Sequence, residues 1–286
     1  MIRSNFIRIC LLLCLIMLIS GCEALQPSSE PIITPVPEPE VEQGSTTELE
    51  PTIPPTEPTE TEGEAFDELI LGMKVIDSGL VNSFARNGDI LAVWVKEDLT
   101  WSERLLTTIP VENRMLMTAS LEGLEETLDA LEVEITYLGY DLERWERTPL
   151  SEQENPVEAV KLAQQIAHTH GLTLVLGPSK YFNEKFGAEL APHTDIYVPQ
   201  VKGYQARLST EEYHKTVGAL LTSLKEANPE LILFLDLSPT PKGFEKSPEE
   251  MIESLRGVRH LVDGLWITST RKHADQVEEF IELVRP

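Results

Sequence analysis

The chain has 286 residues, with 48 acidic side chains against 23 basic ones and a formal net charge of −25. That excess argues against nucleic acid as a partner, because phosphate contacts need clustered Lys and Arg, and it opposes adsorption of the protein surface on anionic lipid.

Arg3 and Arg8 precede or open an apolar stretch from Ile9 to Ile19. Its length suits a secretory h-region and falls short of the roughly 20 apolar residues needed to span a bilayer. The stretch ends in Ile19-Ser20-Gly21-Cys22, two small residues and a cysteine where a cleavage site belongs. This register resembles the lipobox of bacterial lipoproteins; the alternative is an ordinary signal peptide with an incidental cysteine. The resemblance implies a signal peptide at 1–21, cleavage after Gly21, a diacylglyceryl group on the Cys22 thiol and acylation of the new amino terminus. Two or more acyl chains give stable anchoring. Membrane lipid held through Cys22 is then the first expected partner, and the extracytoplasmic side of the cell membrane the expected location. Cys10 and Cys14 fall in the removed segment, so the mature chain is expected to hold no disulfide.

Residues 22–64 form the next segment, rich in Pro, Glu and Thr, with eleven glutamates and no Lys or Arg between Glu23 and Glu64. Too little apolar surface is available there to offset ordering entropy, so the segment is expected to be a disordered spacer. Its prolines favour extended polyproline II, and its glutamates repel one another.

From Ala65 to Pro286 short apolar runs alternate with amphipathic stretches, the pattern of parallel strands joined by helical crossovers. Strands are expected near Leu69 to Ile76, Ile90 to Val95, Arg114 to Thr118, Ile135 to Gly139, Leu172 to Leu176, Asp195 to Val198, Leu231 to Leu235 and Leu265 to Thr268. Helix starts are marked by four capping-box spacings, Thr100 with Glu103, Asn155 with Glu158, Ser209 with Glu212 and Ser247 with Glu250. Pro156 and Pro248 fall at first helical positions, where a missing N–H costs nothing.

Eight such units predict an α/β fold of the (β/α)8 TIM-barrel type over residues 65–286, with an open doubly wound sheet as the alternative. Connections from helix to strand are brief, as at Gly171 or Asp263-Gly264. Those from strand to helix are longer: Arg144 to Glu154, Gly177 to Asn183, Pro199 to Arg207 and Ser238 to Lys246. In a barrel, loops after strand C-termini build the site and the short-loop face serves stability; in an open sheet, ligands also bind at strand ends.

The fourth strand runs on into Tyr140-Asp141-Leu142-Glu143-Arg144-Trp145. Residues two apart share a face, so Asp141 and Glu143 are both expected to project inward at the strand end. Two carboxylates so close raise one pKa, which suits a general acid; alternatively they pair with Arg144 or Arg147 and only hold the rim. Asp-x-Glu closing a fourth barrel strand resembles the end of the signature of family-18 glycoside hydrolases. That resemblance implies Glu143 as the acid toward the glycosidic oxygen and Asp141 as its helper in a substrate-assisted reaction. It also places Tyr197 on strand six, and Trp266 on strand eight as a sugar platform. The earlier acids of that signature correspond here to Thr136 and Gly139. The series Tyr140 to Trp145, Thr148-Pro149, Glu152-Gln153, Asn155-Pro156 and Asp263 to Trp266 is similar to that of uncharacterised secreted bacterial barrel proteins, which implies the fold and no reaction.

Other strand-end polar and aromatic residues are candidates for the same cleft: Asp77, Trp94, Lys96, Trp145, Ser179, Tyr181, Gln200, Tyr204 and Asp236. Aromatic faces with amides and acids at the rim suit a carbohydrate ligand. Asp195 and Asp263 precede their strands and read as structural. His168 and His170 do not share a helix face. With no HExxH, paired CxxC, phosphate loop or GxSxG elbow in the sequence, neither a metal nor a cofactor is called for.

Overall fold

The computed structural model describes residues 69–74, 85–96, 98–268 and 270–285. The expected signal peptide, Cys22, the linker and Asp77 lie outside the described residues.

The strands are apolar on both faces because both faces are covered, which is why they read as continuous runs rather than as alternations. Eight of them are present: β1 (Ile70–Lys74), β2 (Ile90–Trp94), β3 (Arg114–Thr118), β4 (Tyr137–Tyr140), β5 (Thr173–Leu176), β6 (Ile196–Tyr197), β7 (Ile232–Leu237) and β8 (Gly264–Ile267). All neighbours are parallel, and β8 returns to pair with β1 through Ile70 opposite Gly264, so the sheet is a closed (β/α)8 barrel and not an open one. The described helices between strands are α1 (Leu99–Thr108), α2 (Leu124–Asp129), α3 (Leu150–Glu154), α4 (Pro156–Thr169), α5 (Lys180–Leu190), α6 (Lys202–Gln205), α7 (Thr210–Ala227) and α8 (Pro248–Arg256), with α9 (Ala274–Val284) after β8. Two stretches expected as loops therefore carry short helices, α3 and α6.

Strand parity sorts the core into two layers. Ile90, Ala92, Met115, Met117, Val175, Ile196, Val198, Phe234 and Trp266 fill the barrel interior. Their strand neighbours, among them Leu91, Leu116, Leu138, Leu174, Leu233 and Leu265, pack outward against the helices.

The short-loop face is held by one device used three times. Asp89, Asp195 and Asp263 each stand immediately before a strand, and each carboxylate accepts the amide N–H of the second residue of the preceding strand: Leu71 at 2.9 Å, Leu174 at 2.8 Å and Leu233 at 2.9 Å. Each also meets a cationic or imidazole partner: Arg285 for Asp89, His168 for Asp195 and Lys225 for Asp263. These acids tie the barrel together at the face away from the cleft, the structural role that the sequence suggests for Asp195 and Asp263; Asp89 is a third of the same kind.

Two of the four expected capping boxes form in full, at Ser209 with Glu212 and at Ser247 with Glu250. The first helix is capped instead by Asp98, whose side chain accepts from Thr100 N–H, so Thr100 is the second helical residue and not the cap. Asn155 stands at the start of α4 but makes no capping bond, since its amide donates back to the Ser151 carbonyl.

Candidate active site at the barrel mouth

The inward positions at the strand C-termini converge on one cleft. Its wall is built from Lys74 on β1, Met115 and Met117 on β3, Asp141 and Glu143 after β4, Gly177 after β5, Gln200 and Lys202 after β6, Asp236 on β7, Trp266 on β8 and Thr268 just after it. β4 ends at Tyr140, yet the alternation continues through Asp141 and Glu143, so both carboxylates face the cleft as the two-residue spacing predicts.

Gln200 gathers them. Its side-chain Nε2 donates to Asp141 Oδ1 at 2.9 Å and Glu143 Oε1 at 2.8 Å, with the Gly177 carbonyl at 3.2 Å. The two acids behave differently. Asp141 is only 5% exposed; burial, opposed by Lys74 and reinforced by Glu143, pushes its carboxyl up to about 6. Glu143 is the more open of the pair. The raised pKa expected of two adjacent acids therefore belongs to Asp141, and burial is its first cause.

Opposite this pair stand two lysines. Lys202 Nζ lies 3.3 Å from Asp236 Oδ2 and 3.4 Å from Thr268 Oγ1. Thr268 in turn donates to Asp236 Oδ1 at 3.0 Å. Burial works against the Lys202 charge, but the Asp236 carboxylate outweighs it and holds the ammonium above the usual lysine range. Asp236, 1% exposed, is thus half of an ion pair at the cleft base. Lys74 extends from β1 with its Nζ 4.9 Å from the centroid of the Trp94 ring. Burial depresses its pKa, partly offset by Asp141 and reinforced by Lys202.

The aromatic candidates divide. Trp266 lines the cleft, but it is 5% exposed and its ring lies against Gly72, where any side chain would collide with it. It forms a floor rather than an open platform. Trp94 and Trp145 meet at the rim with ring centroids 6.2 Å apart. Their faces carry Lys74 and Arg147, the latter 5.0 Å from the Trp145 ring. Tyr197 does not reach the cleft. Ile196 and Val198 take the inward positions of that strand, so Tyr197 turns outward, and its hydroxyl donates to Asn183 Oδ1 at 3.0 Å, fully buried beneath α5. Tyr181 and Tyr204 sit farther out, under Arg144 and Lys180 respectively, and Lys96 lies over Trp101.

The sequence series between Trp145 and Asn155 has a positioning role. Trp145 Nε1 donates to Thr148 Oγ1 at 2.9 Å. Gln153 Nε2 donates to the carbonyls of Trp145 and Thr148 at 2.8 and 2.7 Å. Glu152 accepts from the Tyr140 hydroxyl at 2.6 Å and from Leu121 N–H at 3.0 Å. These bonds set the loop that follows Asp141 and Glu143. Sequence reasoning missed Lys74, Lys202 and Thr268 as cleft residues; the available signal was their inward parity with Gly72, Gln200 and Trp266. Among the described residues no cluster of three or more His, Cys, Asp or Glu could hold a metal ion.

No family model matches the sequence, and no curated protein is similar to it in sequence. Solved structures do share its architecture. The catalytic domain of a family GH18 chitinase from the fern Peteris ryukyuensis aligns with a TM-score of 0.50 at 10% identity, covering 75% of this chain and 98% of that one. A family 17 β-1,3-glucanosyltransferase from Rhizomucor miehei aligns at 0.48 and 10% identity, over 72% and 88% of the two chains. Hydroxymethylglutaryl-CoA lyase from Pseudomonas aeruginosa aligns at 0.46 and 10% identity, over 71% and 76%. The shared feature is the barrel.

Proposed function

We propose that the domain is a glycoside hydrolase acting on a polysaccharide, with Glu143 as proton donor and Asp141 as its partner. The observation that carries this reading is the Gln200 amide bonded to both carboxylates at the cleft edge. Glu143, the more open acid, protonates the glycosidic oxygen as the bond to the anomeric carbon breaks. Water supplies a hydroxyl to that carbon, and its remaining proton returns to the pair. Asp141, with a carboxyl raised to about 6, holds a proton close to the neutral range that such chemistry needs. The Asp-x-Glu spacing and a barrel fold like that of the fern chitinase support the reading, as do the amide and hydroxyl groups around the pair.

Acylation of Cys22 holds this domain at the extracytoplasmic face of a membrane, with residues 23–64 as its tether. Replacing Cys22 with Ala is expected to abolish incorporation of labelled palmitate and to release the protein from the membrane fraction.

The deciding experiment for the reaction is Glu143→Gln, assayed on an oligosaccharide panel by product chromatography. The variant is expected to lose hydrolysis while its thermal midpoint hardly moves. Full activity in the variant would remove Glu143 from the mechanism. Saturable binding heat without product from the unmodified protein would leave a carbohydrate-binding role, a reading favoured by Gly139, which stands where an upstream acid would be and packs against Met115 and Met117.

A further inference from the structure

The two lysines of the cleft are not equivalent. Lys202 is tethered, its Nζ held by Asp236 and Thr268. Lys74 has no hydrogen bond or ion pair among the described residues; its Nζ rests over the Trp94 face and lines the same cleft as Asp141, Glu143 and Gln200. An amine in that position is desolvated without being neutralised by a bonded carboxylate. Lys202, a second cation in the same wall, adds repulsion, and burial outweighs the attraction of Asp141, so the free-amine form of Lys74 is favoured relative to an ordinary lysine. Desolvation and a neighbouring cation are the two devices that turn a lysine into a nucleophile toward carbonyl carbon.

From this geometry we infer that Lys74 is a covalent site for a short hydroxyaldehyde or hydroxyketone, an open-chain sugar fragment, which it binds as an imine. The cleft offers what such a ligand needs. Thr268, Gln200 and Glu143 supply hydrogen-bond partners for its hydroxyls, and Met115, Met117 and Trp266 supply an apolar floor for its carbon chain. Asp141, the group whose charge acts most strongly on Lys74, serves as the acid.

The steps balance without an oxidant or a metal. The Nζ lone pair attacks the carbonyl carbon, and the C=O pair moves to oxygen, which takes the Asp141 proton. The carboxylate then accepts a proton from Nζ to leave a neutral carbinolamine. Returning that proton to the hydroxyl lets water depart as the nitrogen lone pair closes the C=N bond, giving the protonated imine. One water is released, and hydrolysis by the reverse path frees the ligand.

The inference is independent of hydrolysis by Glu143 and is tested separately. The full chain is incubated near neutral pH with glycolaldehyde and sodium cyanoborohydride, and reduced adducts are mapped by peptide mass spectrometry over time. Lys74 is expected to be labelled at least about tenfold faster than any other lysine, the preference of an activated amine over solvated ones. Lys74→Arg, which keeps the charge and the stem, is expected to abolish this fast adduct with its thermal midpoint preserved. Labelling spread evenly over surface lysines, or a fast adduct that persists elsewhere in Lys74→Arg, overturns the inference. Because the mapping is made on the unmodified protein, it decides the matter even if the substituted chain does not fold.

Discussion

Tyr140 and Asp141 are adjacent in sequence and face opposite layers of the barrel. The Tyr140 hydroxyl donates to Glu152 Oε2 at 2.6 Å on the helix side, while the Asp141 carboxylate turns into the cleft and meets Gln200 at 2.9 Å. The strand end is therefore fixed from behind by a tyrosine so that the acid in front keeps its aim. Tyr140→Phe removes one bond to a charged, partly buried acceptor and is expected to cost about 2 kcal/mol of stability. If the tyrosine positions Asp141, the variant also loses turnover well below its melting temperature. Urea denaturation followed by kinetics on the folded fraction checks both, and a destabilised but fully active variant would confine Tyr140 to packing.

Asp141 makes stability depend on pH in a direction opposite to a salt-bridged acid. Its carboxyl rises from an ordinary 3.8 to about 6 on folding, so between those values the native state binds a proton that the unfolded chain does not. The associated stabilisation is complete below the unfolded value and is lost as pH rises through about 6. Above that, folding must bury the charge. Asp141→Asn keeps an oxygen for the Gln200 amide and removes the charge, so it is expected to gain on the order of 2 kcal/mol near pH 7 and nothing near pH 4. Calorimetric midpoints at the two pH values measure the difference, and a gain equal at both would rule out the titration of Asp141 as its source.

Gln200 is the donor that lets the two acids share an edge. With Leu in its place, Asp141 and Glu143 lose their common donor, and each destabilises the other's charge. On the proposed hydrolase reading, turnover is expected to fall about a hundredfold, as when a preorganised donor is removed from a site. The remaining activity should need a higher pH, because Asp141, without a donor to its charged form, titrates later. A pH–rate profile whose limbs coincide with those of the unmodified protein would show that Gln200 does not act through the pair.

Much of this was legible in the chain, and the exceptions have physical causes. Apolar runs placed every strand, the brief helix-to-strand connections pointed to the face that bears the cleft, and a period of two carried Asp141 and Glu143 into it. Tyr197 was misjudged because β6 is buried on both sides, so the alternation that would reveal its direction is missing from Ile196-Tyr197-Val198. Lys74 and Lys202 passed unnoticed because lysine reads as solvated; only closure of β1 against β8 brings Lys74 across from Asp141. The capping aspartate at 98 lay outside the Thr100 to Glu103 spacing, and side-chain bonding to an amide two residues on leaves no mark in a motif of that length.

The opposite end of the barrel provides a test of how the ring is closed. Asp89 precedes β2 and accepts from Leu71 N–H of β1 and from Arg86 N–H at 2.9 and 2.8 Å, so two of its oxygen lone pairs are spent on backbone. Arg285, after α9, adds a two-point grip, with Nη1 and Nη2 at 2.8 and 2.6 Å from the two carboxylate oxygens, and its Nη2 reaches the Leu69 carbonyl at 2.6 Å. Both side chains are buried, so removing one leaves the other charge without compensation. Arg285→Met is expected to cost about 3 to 5 kcal/mol, the range for breaking a buried pair from one side. Adding Asp89→Asn should return part of that loss, since the uncompensated charge goes with it while the amide oxygen still accepts from Leu71. A double variant as unstable as the sum of the two single ones would mean that the pair acts as separate backbone caps rather than as a joint between the C-terminal helix and the first strands.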